Sequence, residues 1–159
     1  EAIKGVACGI FVGGGQSDYV HLLPRDSVEL SGQMLLGNTS SVLAARLAYF
    51  LDLKGPSLAI DTACSSGLVA THYAVRSLLD GECDIALAGG VNLMLTPQMH
   101  LMTAVSGMLA PDGLCKTFDN TADGFVPGEG LGLVVLKPLA KAIADCNRIY
   151  AIILGSAVN

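Results

Sequence analysis

Apolar positions along the chain follow two rhythms. Short unbroken apolar runs alternate with longer segments in which apolar residues return at helical spacing. The first rhythm fits strands covered on both faces, and the second fits helices with one apolar side. Val6–Val12 predicts a buried strand that runs into the loop Gly13-Gly14-Gly15. Ser40–Leu51 predicts a helix, with Val42, Ala45, Leu47, Ala48 and Leu51 near helical spacing, and Lys54-Gly55-Pro56 stops it. Ser57–Asp61 reads as a short strand. Ser65 to about Leu79 reads as a helix with Leu68, Thr71, Val75, Leu78 and Leu79 on one side and Gly81 past its end. Asp84–Leu95 is apolar on both faces and so predicts a central strand. Thr96–Gly124 has weak periodicity and one clear turn, Pro111-Asp112-Gly113; long irregular stretches in compact domains are usually functional. Leu131–Leu136 predicts another strand, Pro138–Cys146 a short helix and Tyr150–Val158 a last strand. Alternation of this kind indicates an α/β domain with a mixed sheet packed by helices.

Composition narrows the picture. With 159 residues, 52% of them hydrophobic and 14% charged, the chain can fold as one domain and is not a disordered segment. A net charge of −5 without a basic stripe excludes a nucleic-acid partner. No segment predicts a membrane span. The charge-free stretch between Asp84 and Asp112 is broken by Gly89, Gly90, Asn92, Pro97, Gln98 and His100. No basic segment followed by an apolar run opens the chain, so no secretory leader is predicted. The five cysteines, Cys8, Cys64, Cys83, Cys115 and Cys146, are widely spaced and match no zinc pattern, which fits a reducing, cytoplasmic setting. Asp119, Asp123 and Glu129 have no further ligands clustered with them, so no metal is expected.

One segment carries candidate chemistry. Thr62-Ala63-Cys64-Ser65-Ser66-Gly67 lies between a short buried strand and a helix. A sharp strand-to-helix turn places Cys64 at the helix N-terminus, where unpaired N–H groups and the positive end of the helix dipole favour a thiolate. The flanking residues are small enough for a substrate carbonyl to approach, and the Cys64 N–H is a candidate oxyanion donor. A cysteine at the start of a buried helix is more often a packing residue. The surrounding motif points the other way.

Asp61–Ser66 (DTACSS) resembles the active-site signature of the beta-ketoacyl synthase family, above all the ketosynthase domains of modular polyketide synthases. Further segments agree in order: Gly37–Ser40 with Ala45–Phe50, Ala86–Asn92 (ALAGGVN), Gly107–Asp119 (GMLAPDGLCKTFD), Ala122–Gly130 (ADGFVPGEG) and Leu131–Leu139. Phe125–Glu129 (FVPGE) is most similar to ketosynthases served by a separate acyltransferase. The resemblance implies the N-terminal half of a thiolase-like fold, a homodimer paired through Ser57–Asp61, and decarboxylative Claisen condensation with Cys64 as the acyl-accepting nucleophile. It implies acyl and malonyl-type thioesters as substrates, delivered on the phosphopantetheine arm of an acyl carrier protein, with no metal or redox cofactor. It places Phe125 against the acyl pocket, although an ordinary core Phe fits as well.

The departures are specific. The family's two catalytic histidines lie in motifs absent from this sequence, and His21, His72 and His100 match neither. The family's first strand is also missing, so residues 1–159 read as part of a ketosynthase domain. That leaves a non-condensing module of the same fold, binding carriers or translocating chains, as an alternative. A thiolase or initiating enzyme acting on coenzyme A esters is disfavoured by GMLAPDG and FVPGEG. Gly67 stands where many relatives carry a third Ser. Gly13-Gly14-Gly15 and Gly128–Gly132 lack the context of a phosphate loop or nucleotide fingerprint. Glu129 reads either as a buried acid near the site or as a turn carboxylate holding backbone N–H groups.

Overall fold

A computed structural model describes residues 4–15, 17–23 and 31–159. Strand β1 (Cys8–Gly13) is buried along its whole length and forms the spine of the fold. It pairs in parallel with β2 (Ser57–Ile60) on one side and with β3 (Ile85–Asn92) on the other. The other side of β3 pairs antiparallel with β4 (Gly130–Leu136), giving a mixed sheet in the order β2-β1-β3-β4. β3 is therefore an interior strand, as its apolar character on both faces requires.

Side-chain alternation splits the core in two. Cys8, Ile10 and Val12 of β1 point to the face covered by α2 (Val42–Leu51), where Ala44 and Leu53 are buried with them. Phe11 points to the opposite face, where Ala70 and Ala74 of α3 (Ser66–Leu79) pack on Ala86 and Ala88 of β3. The buried side of α3 is thus Ser66, Ala70, Ala74 and Ser77. Of the apolar side drawn from the sequence, Leu78 packs against this core, whereas Leu68 is 80% exposed and Leu79 71%. Small residues face the sheet because strand backbones rich in Gly and Ala let the helix come close. The larger apolar side is left outward. A helix apolar on both sides belongs in a layered interior.

Two helices lie where the pattern marked none. α1 (Gly32–Asn38) starts at Ser31, whose hydroxyl accepts the N–H of Met34 at 3.3 Å. α4 (Gln98–Val105) interrupts the predicted irregular stretch. Only Thr103 of α4 is buried, so no apolar stripe toward this core announces it. The short helix near the C-terminus is α5 (Leu139–Ala144). Tyr150–Val158, predicted as a strand, has no partner among the described residues and is not one. Its apolar character remains, with Ile152, Ile153 and Leu154 exposed.

Candidate active site

The chain turns sharply between the end of β2 and the start of α3, and side chains hold the turn. Ala63 takes a φ of 54°, in the left-handed region that a residue with a Cβ seldom adopts. Its N–H donates to Asp61 Oδ1 at 3.1 Å. The buried Ser66 hydroxyl accepts the Thr62 N–H at 2.9 Å and donates to Ala63 O at 2.6 Å. The Ser65 hydroxyl donates to Thr62 O at 2.8 Å, with Thr62 Oγ1 2.9 Å away. The side chains of Asp61, Ser65 and Ser66 are therefore committed to the backbone of the turn that carries Cys64.

Glycines seat this turn against the sheet. A Cβ on Gly13, the last residue of β1, would fall 2.5 Å from Gly67 N and 2.6 Å from Ser66 O. A Cβ on Gly90 would fall 3.3 Å from Gly67 Cα. Without side chains at these positions, the first turn of α3 lies directly on the strand ends.

Cys64 is exposed and borders a groove of about 320 Å³. The walls include Gly67 and Thr71 of α3, Gly89 and Gly90 of β3, and Gly132 of β4. No wall residue carries a charge. The Thr71 hydroxyl donates to Gly67 O at 2.9 Å, so that side of the groove presents an apolar surface.

The remaining residues singled out in the sequence lie elsewhere. Phe125 is not part of the groove. Its N–H donates to Met108 O and its carbonyl accepts the Ala110 N–H, both at 3.0 Å, which ties the two long loops together. His72 Nδ1 lies 2.9 Å from Ser156 Oγ, and no histidine borders the groove. Glu129 is the turn carboxylate of the two readings: Oε1 accepts the Met94 N–H at 2.6 Å, while Asn92 Nδ2 donates to Gly128 O at 2.6 Å. Together they clamp the end of β3 to the start of β4, the strands that supply Gly89, Gly90 and Gly132.

Charges pin the surrounding loops. Asp18 accepts from the Thr96 hydroxyl and N–H, both at 2.8 Å, and from the Leu95 N–H at 3.3 Å. Those bonds, the Thr96 hydroxyl first, hold its carboxyl below the usual range. Lys116 lies 2.5 Å from Asp123 and 3.0 Å from Asp112, which pushes its pKa up. The Lys116 ammonium, followed by the Leu114 N–H, pulls Asp112 down. Among the described residues no group of side chains could hold a metal ion, and no helix is long and apolar enough to cross a membrane.

The family model of the beta-ketoacyl synthase N-terminal domain matches residues 1–142. The chain belongs to the beta-ketoacyl synthase family. It is 51% identical over 152 residues to polyketide synthase PksL of Bacillus subtilis, covering 96% of this chain and 3% of that protein. It is 48% identical over 160 residues to the phthioceranic/hydroxyphthioceranic acid synthase of Mycobacterium tuberculosis, covering 100% of this chain and 8% of that one. Among solved structures, the ketosynthase from module 6 of the bacillaene synthase of Bacillus subtilis superposes with a TM-score of 0.79 at 49% identity, over 93% of this chain and 25% of that chain. An oxazolomycin ketosynthase domain of Streptomyces albus matches with a TM-score of 0.79 at 40% identity, over 90% of this chain and 25% of that one. The fold is the thiolase-like mixed α/β arrangement, and the chain spans a quarter of the length of these ketosynthases. The structure places Cys64, the residue the sequence motif singled out, exposed at the edge of the groove. Sequence reasoning missed the Ser66 lock, the seats at Gly13 and Gly90, and the Asp18 anchor. All but the first join residues far apart in the chain, and no local pattern signals them.

Proposed function

We propose that this chain is the nucleophile-bearing N-terminal portion of a polyketide ketosynthase domain and that Cys64 accepts the growing acyl chain. The reading rests on one observation: an exposed thiol at the N-terminus of a 14-residue helix, in a hydroxyl-locked turn beside an uncharged groove. In the first step Cys64 Sγ attacks the thioester carbonyl of an acyl group on the phosphopantetheine arm of an acyl carrier protein. A new S–C bond forms, the pantetheine C–S bond breaks, and the proton from Cys64 ends on the released thiol. A malonyl-type extender, also carrier-bound, then loses carbon dioxide, and its carbanion attacks the Cys64 thioester. The chain is lengthened and the thiolate is freed. The histidines that serve decarboxylation belong to motifs outside this sequence, so condensation is an activity of the complete domain. No metal or redox group enters this chemistry. Phe125 keeps its resemblance to the pocket aromatic, and its backbone ties the two long loops together.

The partner surfaces follow. Among the described residues β2 is an edge strand with Leu58 exposed, and an unpaired apolar edge is an association site, which supports a homodimer joined through β2. Five cysteines outside any disulfide support a reducing, cytoplasmic setting.

The test is acylation of the complete domain by an acyl carrier protein thioester, with the adduct mapped by mass spectrometry. The acyl group is expected on Cys64, and Cys64→Ala abolishes both acylation and extension. Acylation that persists in Cys64→Ala, or that maps to Cys115 or Cys146, overturns the reading.

A further inference from the structure

We propose that Glu129 is a positioning residue for acylation of Cys64, acting through the end of β3. The inference rests on the Cys64 reading and goes beyond it by giving a part in the reaction to a side chain outside the nucleophile's turn. The first turn of α3 rests on the ends of β1 and β3, and on β3 the contact is Gly90. A Cβ there would fall 3.3 Å from Gly67 Cα and 3.4 Å from Gly13 O. The position of Gly90 therefore sets where the turn that carries Cys64 sits.

That end of the β3–β4 ladder is weak by composition. Gly89 pairs with Leu133, Gly90 with Gly132 and Asn92 with Gly130, and between them only Val91 with Leu131 joins two apolar side chains. Cross-strand side-chain pairs are what stabilise a sheet, and glycine supplies none. The chain entering β4 is no better fixed, because Glu129 stands between Gly128 and Gly130, and a Cβ at either would have no atom within 4 Å. Side chains close this open end. Glu129 Oε1 takes the N–H of Met94, two residues past β3, and Asn92 Nδ2 reaches back to Gly128 O, both at 2.6 Å. Asp18 takes the next two N–H groups, those of Leu95 and Thr96. Three consecutive N–H groups at the exit of β3 are thus held by carboxylates, one from the chain after β1 and one from the chain before β4. Hydrogen bonds to an ionised acceptor are stronger than neutral ones, so Glu129 is the firmest tie between the ends of β3 and β4.

The experiment acylates the complete domain, as wild type, Glu129→Ala and Glu129→Gln, with a saturating butanoyl N-acetylcysteamine thioester followed by intact-protein mass spectrometry. The rate constant reports positioning, and the final amplitude reports the folded fraction. Glu129→Ala is expected to lower the rate constant at least about tenfold, part of the roughly 100-fold that a 1 Å misplacement costs. Its amplitude and its rate of Cys64 alkylation by iodoacetamide are expected to match wild type, because neither needs a positioned thioester. Glu129→Gln, whose amide oxygen still accepts the Met94 N–H, should recover most of the rate. Amide exchange at Gly90–Asn92 and Gly130–Gly132 should quicken about tenfold in Glu129→Ala. Should Glu129→Ala fail to fold, judged by its melting transition, Glu129→Asp, one methylene too short to keep the bond, is read in its place. A rate constant within about threefold of wild type, a Glu129→Gln as slow as Glu129→Ala, or a loss confined to amplitude or shared by alkylation overturns the proposal. A wild-type domain acylated elsewhere overturns the Cys64 reading itself, so the two failures are distinct.

Discussion

Gly13→Ala tests whether the seating of α3, rather than the motif alone, places the nucleophile. The added Cβ would lie 2.5 Å from Gly67 N and 2.6 Å from Ser66 O, where ordinary contact begins at 3.4 Å. Both atoms are backbone, so no rotamer change relieves the overlap. The first turn of α3 must lift by about 1 Å, because repulsion rises steeply inside the contact distance. Overpacking of this kind costs about 1–3 kcal/mol of stability. The larger effect falls on chemistry, since Cys64 rides on the displaced turn and a 1 Å misplacement costs about 100-fold in rate. In the complete domain, denaturant unfolding reports the first effect and the time course of Cys64 acylation by intact-protein mass spectrometry reports the second. An acylation rate within about threefold of wild type, against the 100-fold loss expected, refutes the seating argument.

Three other outcomes follow. Ser66→Ala deletes the buried hydroxyl that both accepts from Thr62 and donates to Ala63, and is expected to cost about 1–3 kcal/mol in denaturant unfolding; an unchanged midpoint contradicts the lock. Asp18, with its pKa depressed in the fold, contributes stability that is whole above the unfolded carboxylate value of about 3.9 and fades as pH falls through the lower folded value. Asp18→Asn should therefore be less stable than wild type near neutrality, with the gap closing in acid; a constant gap across the titration argues against the anchor. Leu58→Lys places a charge on the open β2 edge and should shift the complete domain toward monomer in sedimentation at micromolar concentration, while an unaltered dimer moves the interface elsewhere.

β1 and β3 were legible because an interior place in the sheet demands unbroken apolar runs; β4 carries such a run although Leu131, Leu133, Val134 and Val135 are exposed. α3 was legible in extent but not in orientation. Leu68, Val75 and Leu79 form its larger apolar side, and size alone favoured them for the core, yet Ala70 and Ala74 hold that place. The sheet they meet is built from Ala86, Ala88 and Gly90, and only small partners fit so close an approach. Tyr150–Val158 has the composition of a strand, but a strand exists only through its neighbour. At the site, the motif singled out Cys64. The reason its turn holds still lies in Gly13 and Gly90, which read individually as a strand-end glycine and a strand glycine.

The position of β1 in the sheet also sets a timetable for synthesis. Residue 8 must pair with residue 85, and residue 10 with residue 57, so the central strand leaves the ribosome before either neighbour exists. At translation speeds of about 5–20 residues per second, its β3 side waits roughly 4–15 s for a partner. Throughout that interval Cys8, Ile10, Phe11 and Val12, all buried in the finished fold, form a bare apolar strand on a nascent chain. Distant parallel pairing is slow to form even once both strands are present. A chaperone that shields this segment during translation would govern the yield of the folded chain without altering its stability.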